Sequence, residues 1–223
     1  SAEELTSIAG NLANGAVIDL GEATFATTEF PMDFARKTNL QEIALPRNIQ
    51  TFASEAYSGA FYNCTNLKRV TLPEGLTAIG ANCFRQCSQL ESIELPSSVR
   101  TLDIYAFYGC KLLTSVVIPE GVEAIPRFLF DSCTALTDVT LPSTLKSIGA
   151  EAFEATGLEE ITIPESVTTI ESSVFKNCKS LERIQFPDAL TAIPANLCNA
   201  CSALTTINMP SKLETVGNDA FYN

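Results

Sequence analysis

The 223-residue chain has no histidine and no tryptophan, and only 14 basic residues against 26 acidic ones. No apolar run extends beyond a few residues. Without imidazole there is no Ser-His-Asp or Cys-His nucleophile system and no histidine-ligated metal. A net charge of −12 disfavours nucleic acid and anionic membrane surfaces, which need clustered Lys and Arg. Short apolar runs exclude a membrane-spanning segment, so direct membrane insertion is not expected. The chain begins at Ser1 rather than Met, and an upstream segment is expected to have been removed.

A hydrophobic fraction of 46% argues against disorder. The length suits one substantial domain or two small ones. The prolines reveal how it is organised. Eight of them, Pro46, Pro73, Pro96, Pro119, Pro142, Pro164, Pro187 and Pro210, are spaced by 27, 23, 23, 23, 22, 23 and 23 residues. Each ends a segment such as LQEIALP, LESIELP or LERIQFP. An apolar position follows three residues after each proline (Ile49, Leu76, Val99 and so on), and another three residues later (Phe52, Ile79, Leu102). A phenylalanine column comes next: Phe34, Phe61, Phe84, Phe107, Phe130, Phe153, Phe175 and Phe221, with Cys198 as the exception. Three residues beyond lies a cysteine column, Cys64, Cys87, Cys110, Cys133, Cys178 and Cys201, with Thr156 in the remaining place.

A single coil of this length cannot close a core. Burying its apolar side chains gains about 1.5–3 kcal/mol each, against roughly 1–2 kcal/mol of backbone entropy per residue. Stacked coils bury one another's faces, so stability becomes a nearest-neighbour property. The Leu-x-x-Ile-x-Leu segments predict short strands pairing in parallel, about 4.8 Å apart, each stopped by a proline that lacks an N–H donor. Glu74-Gly75 and Glu120-Gly121 predict tight turns with glycine in the second central place. The stretch leading to each Phe predicts an opposite wall of extended or single-turn 3-10 form.

Segments such as LESIELPSSVRTLDIYAFYGC and LTDVTLPSTLKSIGAEAFEAT closely resemble the BspA-like, or treponemal-type, leucine-rich repeat, whose pattern is LxxIxLxxxLxxIgxxAFxxC. The resemblance covers residues 34–223 and implies a right-handed solenoid of leucine-rich repeats with a parallel sheet on one face. It also implies secretion or surface anchoring in bacteria, for example as a lipoprotein, and binding of matrix proteins, other cells or other macromolecules. It carries no shared catalytic residues.

Residues 1–33 depart from the repeat and are expected to cap the open core. Ser1 and Glu4 form a capping-box pattern. Leu5, Ile8 and Leu12 share a helical face, and Asn14-Gly15 predicts the helix end. Residues 34–223 are expected to form one continuous solenoid. The last repeat stops after Phe221, which predicts either a longer natural chain or a partner covering that end. An insertion falls at Glu55–Ala60 and predicts a surface loop, either a binding feature or a tolerated bulge. One residue is missing near Thr156-Gly157, which predicts a tightened turn.

The candidates for chemistry are few. Column placement reads the cysteines as small buried packing residues; neither Cys198-x-x-Cys201 nor Cys83-x-x-x-Cys87 has the histidine or second cysteine pair of a zinc site. No paired carboxylates, phosphate loop or calcium loop emerge, and no cofactor or metal is expected. On the strand face, the mixed columns beginning Glu42, Arg69, Ser92 and Ala44, Thr71, Glu94 suit a solvated sheet or a polar groove. The sharpest candidate is aromatic: Tyr62 and Tyr108 just after the column Phe, Tyr105 and Phe128 two before it, and Tyr57 in the insertion. These are expected on one side of the N-terminal half, as a partner-binding patch or as outer-wall packing. Replacing Tyr57 and Tyr105 by alanine is expected to weaken binding with little change in melting. The reading is a non-catalytic, adhesion-type binding module, extracellular or anchored at a cell surface, whose partner is a protein or glycan on host or neighbouring cells. The alternative is a structural spacer in a longer surface protein. An enzyme is disfavoured.

Overall fold

In each Leu-x-x-Ile-x-Leu segment the apolar residues either side of a solvated one fall on the same face, the two-residue period of a strand. The computed structural model describes residues 2–223 and bears this out. Ala16–Asp19 pairs with Leu40–Ala44, and that strand with Arg69–Thr71. Ser115–Val117 pairs with Asp138–Thr140, and Glu160–Thr162, Arg183–Gln185 and Thr206–Ile207 form a further ladder. A second set of two-residue strands, including Ala124–Ile125, Ser147–Ile148 and Thr169–Ile170, follows each proline turn. All these pairs are parallel and join equivalent positions of successive coils. Among the described residues no helix is long and apolar enough to cross a membrane.

The two-residue strands at the second apolar position form the extended part of the expected opposite wall. Among the described residues only Met32–Phe34 is 3-10 helix. In the other coils the chain turns through paired left-handed residues flanking the Phe, such as Tyr105 (φ 59°) with Gly109 (φ 70°), and Phe128 (φ 60°) with Ser132 (φ 62°). Non-glycine residues resist this conformation by roughly 1–2 kcal/mol each. Intercoil hydrogen bonds hold it: the Asn82, Phe84 and Gln86 amides donate to the Ile104, Ala106 and Tyr108 carbonyls at 3.1, 2.8 and 2.7 Å. Of the two expected glycine turns, both form the Pro-to-apolar bond, Leu76 N–H to Pro73 C=O and Val122 N–H to Pro119 C=O. Only Gly121 uses a positive φ, 94°.

The core runs the length of the stack. The Phe61, Phe84, Phe107, Phe130, Phe153 and Phe175 rings are fully buried and stack at 5.4–5.8 Å with interplanar angles of at most 17°. Beside them each column thiol donates to the carbonyl of the preceding coil's Phe: Cys64 to Phe34, Cys87 to Phe61, Cys110 to Phe84, Cys133 to Phe107, Cys178 to Phe153 and Cys201 to Phe175, at 2.9–3.2 Å. All eight cysteines are free and buried. The column therefore selects a small apolar side chain that also carries a donor.

Helix α1 (Ala2–Gly10) lays Leu5 and Ala9 onto the first coil. It ends at Gly10, not at Asn14-Gly15, and the Asn11 side chain donates to the Ser7 carbonyl at 2.8 Å to close it. Ser1 lies outside the described residues. The strands Ala16–Asp19 and Glu29–Phe30 already pair in parallel with the following coil, the first with a register shift between Ala16 and Val17. The insertion forms an antiparallel hairpin, Ser54–Glu55 with Ser58–Gly59, carrying Ala56 and Tyr57 at its tip. In the short coil, Gly157 sits where a Cβ would lie 2.7 Å from the Thr134 carbonyl oxygen. Thr156 donates to its own coil's Phe153 carbonyl at 3.0 Å instead of reaching back one coil.

Candidate functional site

Two surfaces are exposed. On the strand face the ladder is interrupted. The Leu45, Ile118 and Ile163 amides donate to the next coil at Thr71, Thr140 and Gln185, whereas the equivalent bonds from Leu72, Leu95 and Leu141 do not form. The break at Leu141 coincides with the short coil that follows it, and separates the Asp138–Thr140 strand from Glu160–Thr162. The breaks at Leu72 and Leu95 flank Ser92–Leu95, which forms no strand, and open a cleft of about 520 Å³ against Arg69–Leu72. The rest of this face is a solvated mixture: exposed Thr140 and Thr162, exposed apolar Val117, and the acidic residues Asp138, Glu159, Glu160 and Glu182 around Arg183.

The left-handed wall carries the aromatic residues. Tyr105 stacks on Phe128 with centroids 4.7 Å apart and planes 6° apart, and meets Tyr108 edge-on at 5.7 Å. The Arg85 guanidinium lies 4.7 Å from the Tyr105 centroid, 5.1 Å from Tyr108 and 5.9 Å from Tyr62. Arg36 covers Tyr62 at 5.6 Å, and Arg127 covers Phe128 at 5.2 Å. The Asn82 side-chain oxygen accepts from Arg85 Nη1 at 3.1 Å, which orients the guanidinium, while Arg85 Nε has no partner. None of these three arginines takes part in an ion pair among the described residues.

The structure thus brings together four of the five predicted residues, Tyr62, Tyr105, Tyr108 and Phe128, all half-buried. Tyr57 stands apart: it is 83% exposed at the hairpin tip, and no ring or guanidinium contact reaches it. The Tyr105 ring is held between Arg85 and Phe128, so its truncation is expected to cost more stability than the little change in melting read from the sequence. Sequence reasoning missed the three arginines. Tyr62, Arg85 and Tyr108 occupy one column in successive coils, a signal that was available.

It also missed a carboxylate cluster, contrary to the expectation that none would form. Asp131, Glu151 and Glu154 place an oxygen each within 4.8 Å of the others, directly beyond the aromatic rings along the wall. Lys176 pairs with Glu154 at 3.1 Å, Asn177 donates to Glu154 at 3.0 Å and Ser132 donates to Asp131 at 2.7 Å. Burial pushes the Asp131 carboxyl above its ordinary range. Burial and a shared hydrogen bond with Glu154 do the same to Glu151. The three oxygens are the place where this surface could hold a cation, and Lys176 already supplies countercharge there.

The cysteines offer little reactivity. Burial pushes the Cys64 and Cys178 thiols up to about 12, and Cys83, Cys87 and Cys110 well above their ordinary value. The neighbouring Cys201 thiol and burial push Cys198 up, while Cys198 draws Cys201 down.

The repeat geometry meets an independent sequence finding. The BspA type leucine rich repeat region matches the chain in six copies, over residues 31–128, 54–178 and 102–223. The chain belongs to the BspA-type leucine-rich repeat family. A leucine rich cell surface protein from Faecalibacterium prausnitzii is similar to it, with 27% identity and a TM-score of 0.72 over 94% of this chain and 67% of that one. A leucine-rich repeat protein from Eubacterium ventriosum shares the fold at 24% identity and a TM-score of 0.67, covering 93% of this chain and 65% of that one. The pneumococcal vaccine antigen PcpA shares it at 19% identity and 0.53, over 80% and 62%. This BspA-type chain therefore spans about two thirds of the length of these solved chains. No curated protein matches the sequence.

Proposed function

We propose that this BspA-type repeat is a non-catalytic, adhesion-type binding module that acts outside a bacterial cell, secreted or anchored at the surface, on a protein or glycan of a host or neighbouring cell. The observation that carries this reading is the convergence of Arg36, Arg85 and Arg127 on the rings of Tyr62, Tyr105, Tyr108 and Phe128, without carboxylate partners, in a chain of net charge −12. Tyrosine and arginine are the residue types enriched at energetic centres of interfaces. The similarity to a bacterial cell surface protein supports the location. The role is tested with the purified chain on a panel of immobilised matrix proteins, mucins and glycans at physiological salt. Saturable binding to a panel member is expected; silence across the panel overturns the reading.

A further inference from the structure

The faces of the wall's aromatic rings are already occupied. Tyr105 lies between the Arg85 guanidinium, one coil before it, and the Phe128 ring, one coil after it, and Phe128 is covered in turn by Arg127. A neutral sugar that stacks on an open ring face finds none free at Tyr105. What the wall presents outward is ring edges, which carry the positive end of the ring quadrupole, tyrosine hydroxyls, and guanidinium N–H groups. A guanidinium stacked on a ring can still offer N–H groups to an oxyanion; among the described residues no side-chain partner takes those of the exposed Arg36 and Arg127, whereas Arg85 gives Nη1 to Asn82 and buries Nε.

We propose that this wall is an anion-binding surface whose ligand is an acidic polysaccharide, a chain bearing sulfate ester or uronate groups at regular intervals. Three observations select that ligand. The guanidiniums without a carboxylate partner come from the coils of Phe34, Phe84 and Phe130, one from every second coil and each from a different column, so two coils set them roughly 10 Å apart along the stack axis. That periodicity suits a polymer charged once per repeating pair of units. The wall's backbone groups are bonded from coil to coil, as in Asn63 N–H to Arg85 C=O at 2.7 Å and Gly109 N–H to Asp131 C=O at 2.8 Å. An extended peptide therefore has no ladder to join here, and recognition falls to side-chain donors. The charge then reverses at Asp131, Glu151 and Glu154, which bounds the site to the N-terminal coils.

A chain of net charge −12 repels a polyanion at long range. Salt at physiological strength screens that repulsion beyond about 8 Å and leaves the local arginine contacts decisive. This inference rests on the binding role proposed above. Its test is binding of the full chain to immobilised heparin, hyaluronan, neutral dextran and polyglutamate at physiological salt, with melting curves to verify folding. Heparin or hyaluronan is expected to bind saturably and dextran not at all; the comparison of the two separates sulfate from carboxylate as the anion. The double substitution Arg36→Gln and Arg127→Gln, at two exposed positions, is expected to weaken binding at least tenfold while melting stays cooperative and falls by only a few degrees, the loss of two exposed cation–ring contacts. Equal binding of polyglutamate, heparin and hyaluronan binding that survives the double substitution, or no binding of either polysaccharide overturns the inference. If a protein of the adhesion panel binds while neither polysaccharide does, the binding role stands and this inference falls. If nothing binds, both fall.

Discussion

Replacing Cys110 by alanine removes a sulfur that is fully buried and donates to the Phe84 carbonyl at 3.2 Å. That carbonyl also accepts the Cys87 amide at 3.0 Å, so the substitution leaves no orphaned acceptor. The lost bond is worth about 0.5–1.5 kcal/mol. Deleting one buried heavy atom in a packed core costs about as much again, 0.5–1.5 kcal/mol. The expected loss is about 2 kcal/mol. At about 2–4 °C per kcal/mol for a domain of this size, Cys110→Ala should melt about 4–8 °C below the parent chain. Cys110→Thr keeps a donor of similar size and should recover more than half of that loss. The assay is thermal and urea unfolding of the parent and the variants under reducing conditions. If Cys110→Val, of the same size as Thr but without a donor, recovers as much as Cys110→Thr, the column is selected for volume alone and the hydrogen-bond explanation is wrong.

Three further outcomes follow from the same structure. A water-soluble thiol reagent at pH 7.5 should find little reactivity in the native chain and all eight cysteines after denaturation; several fast-reacting native thiols would contradict the buried ladder. Glu151→Gln should raise the melting temperature at pH 7, because the Glu151 carboxyl titrates above its ordinary range in the folded state and its ionised form is disfavoured there. The ionisation penalty builds up as pH rises from the unfolded carboxyl value of about 4.3 through the raised folded one, so the gain should vanish near pH 4; a gain independent of pH would refute this cause. Tyr105→Ala should cost about 1–2 kcal/mol through its ring and guanidinium contacts, whereas Tyr57→Ala at the exposed hairpin tip should stay within about 0.5 kcal/mol, both read from urea unfolding.

The parts of the fold legible in the sequence are those that every coil repeats. Each Phe and each Cys meets its own equivalent one coil away, so column position alone places Phe107 in the spine and Cys110 beside it. The left-handed wall was not legible. Residues such as Tyr105, Phe128 and Glu151 hold positive φ because intercoil hydrogen bonds impose it, and nothing in their side chains announces it. The aromatic patch was located by column, but its burial depended on Arg36, Arg85 and Arg127, which lie in three different columns and meet only through long, bending side chains. Glu151 and Glu154 could have been paired with Asp131 by the same column reasoning that placed Tyr105 and Tyr108. Tyr57 belongs to no column. The hairpin geometry that lifts it away from the wall comes from a pairing private to the insertion.

The most direct test of the proposed binding wall compares two variants for partner binding, once the panel has supplied a partner. One variant carries Arg36→Gln and Arg127→Gln on the left-handed wall, and the other carries Glu160→Gln and Arg183→Gln on the strand face. Titration at physiological salt should show binding weakened at least tenfold in the first and within twofold of the parent in the second. Loss of binding in the strand-face variant, with the wall variant unchanged, would place the contact on the opposite side of the solenoid and contradict the account.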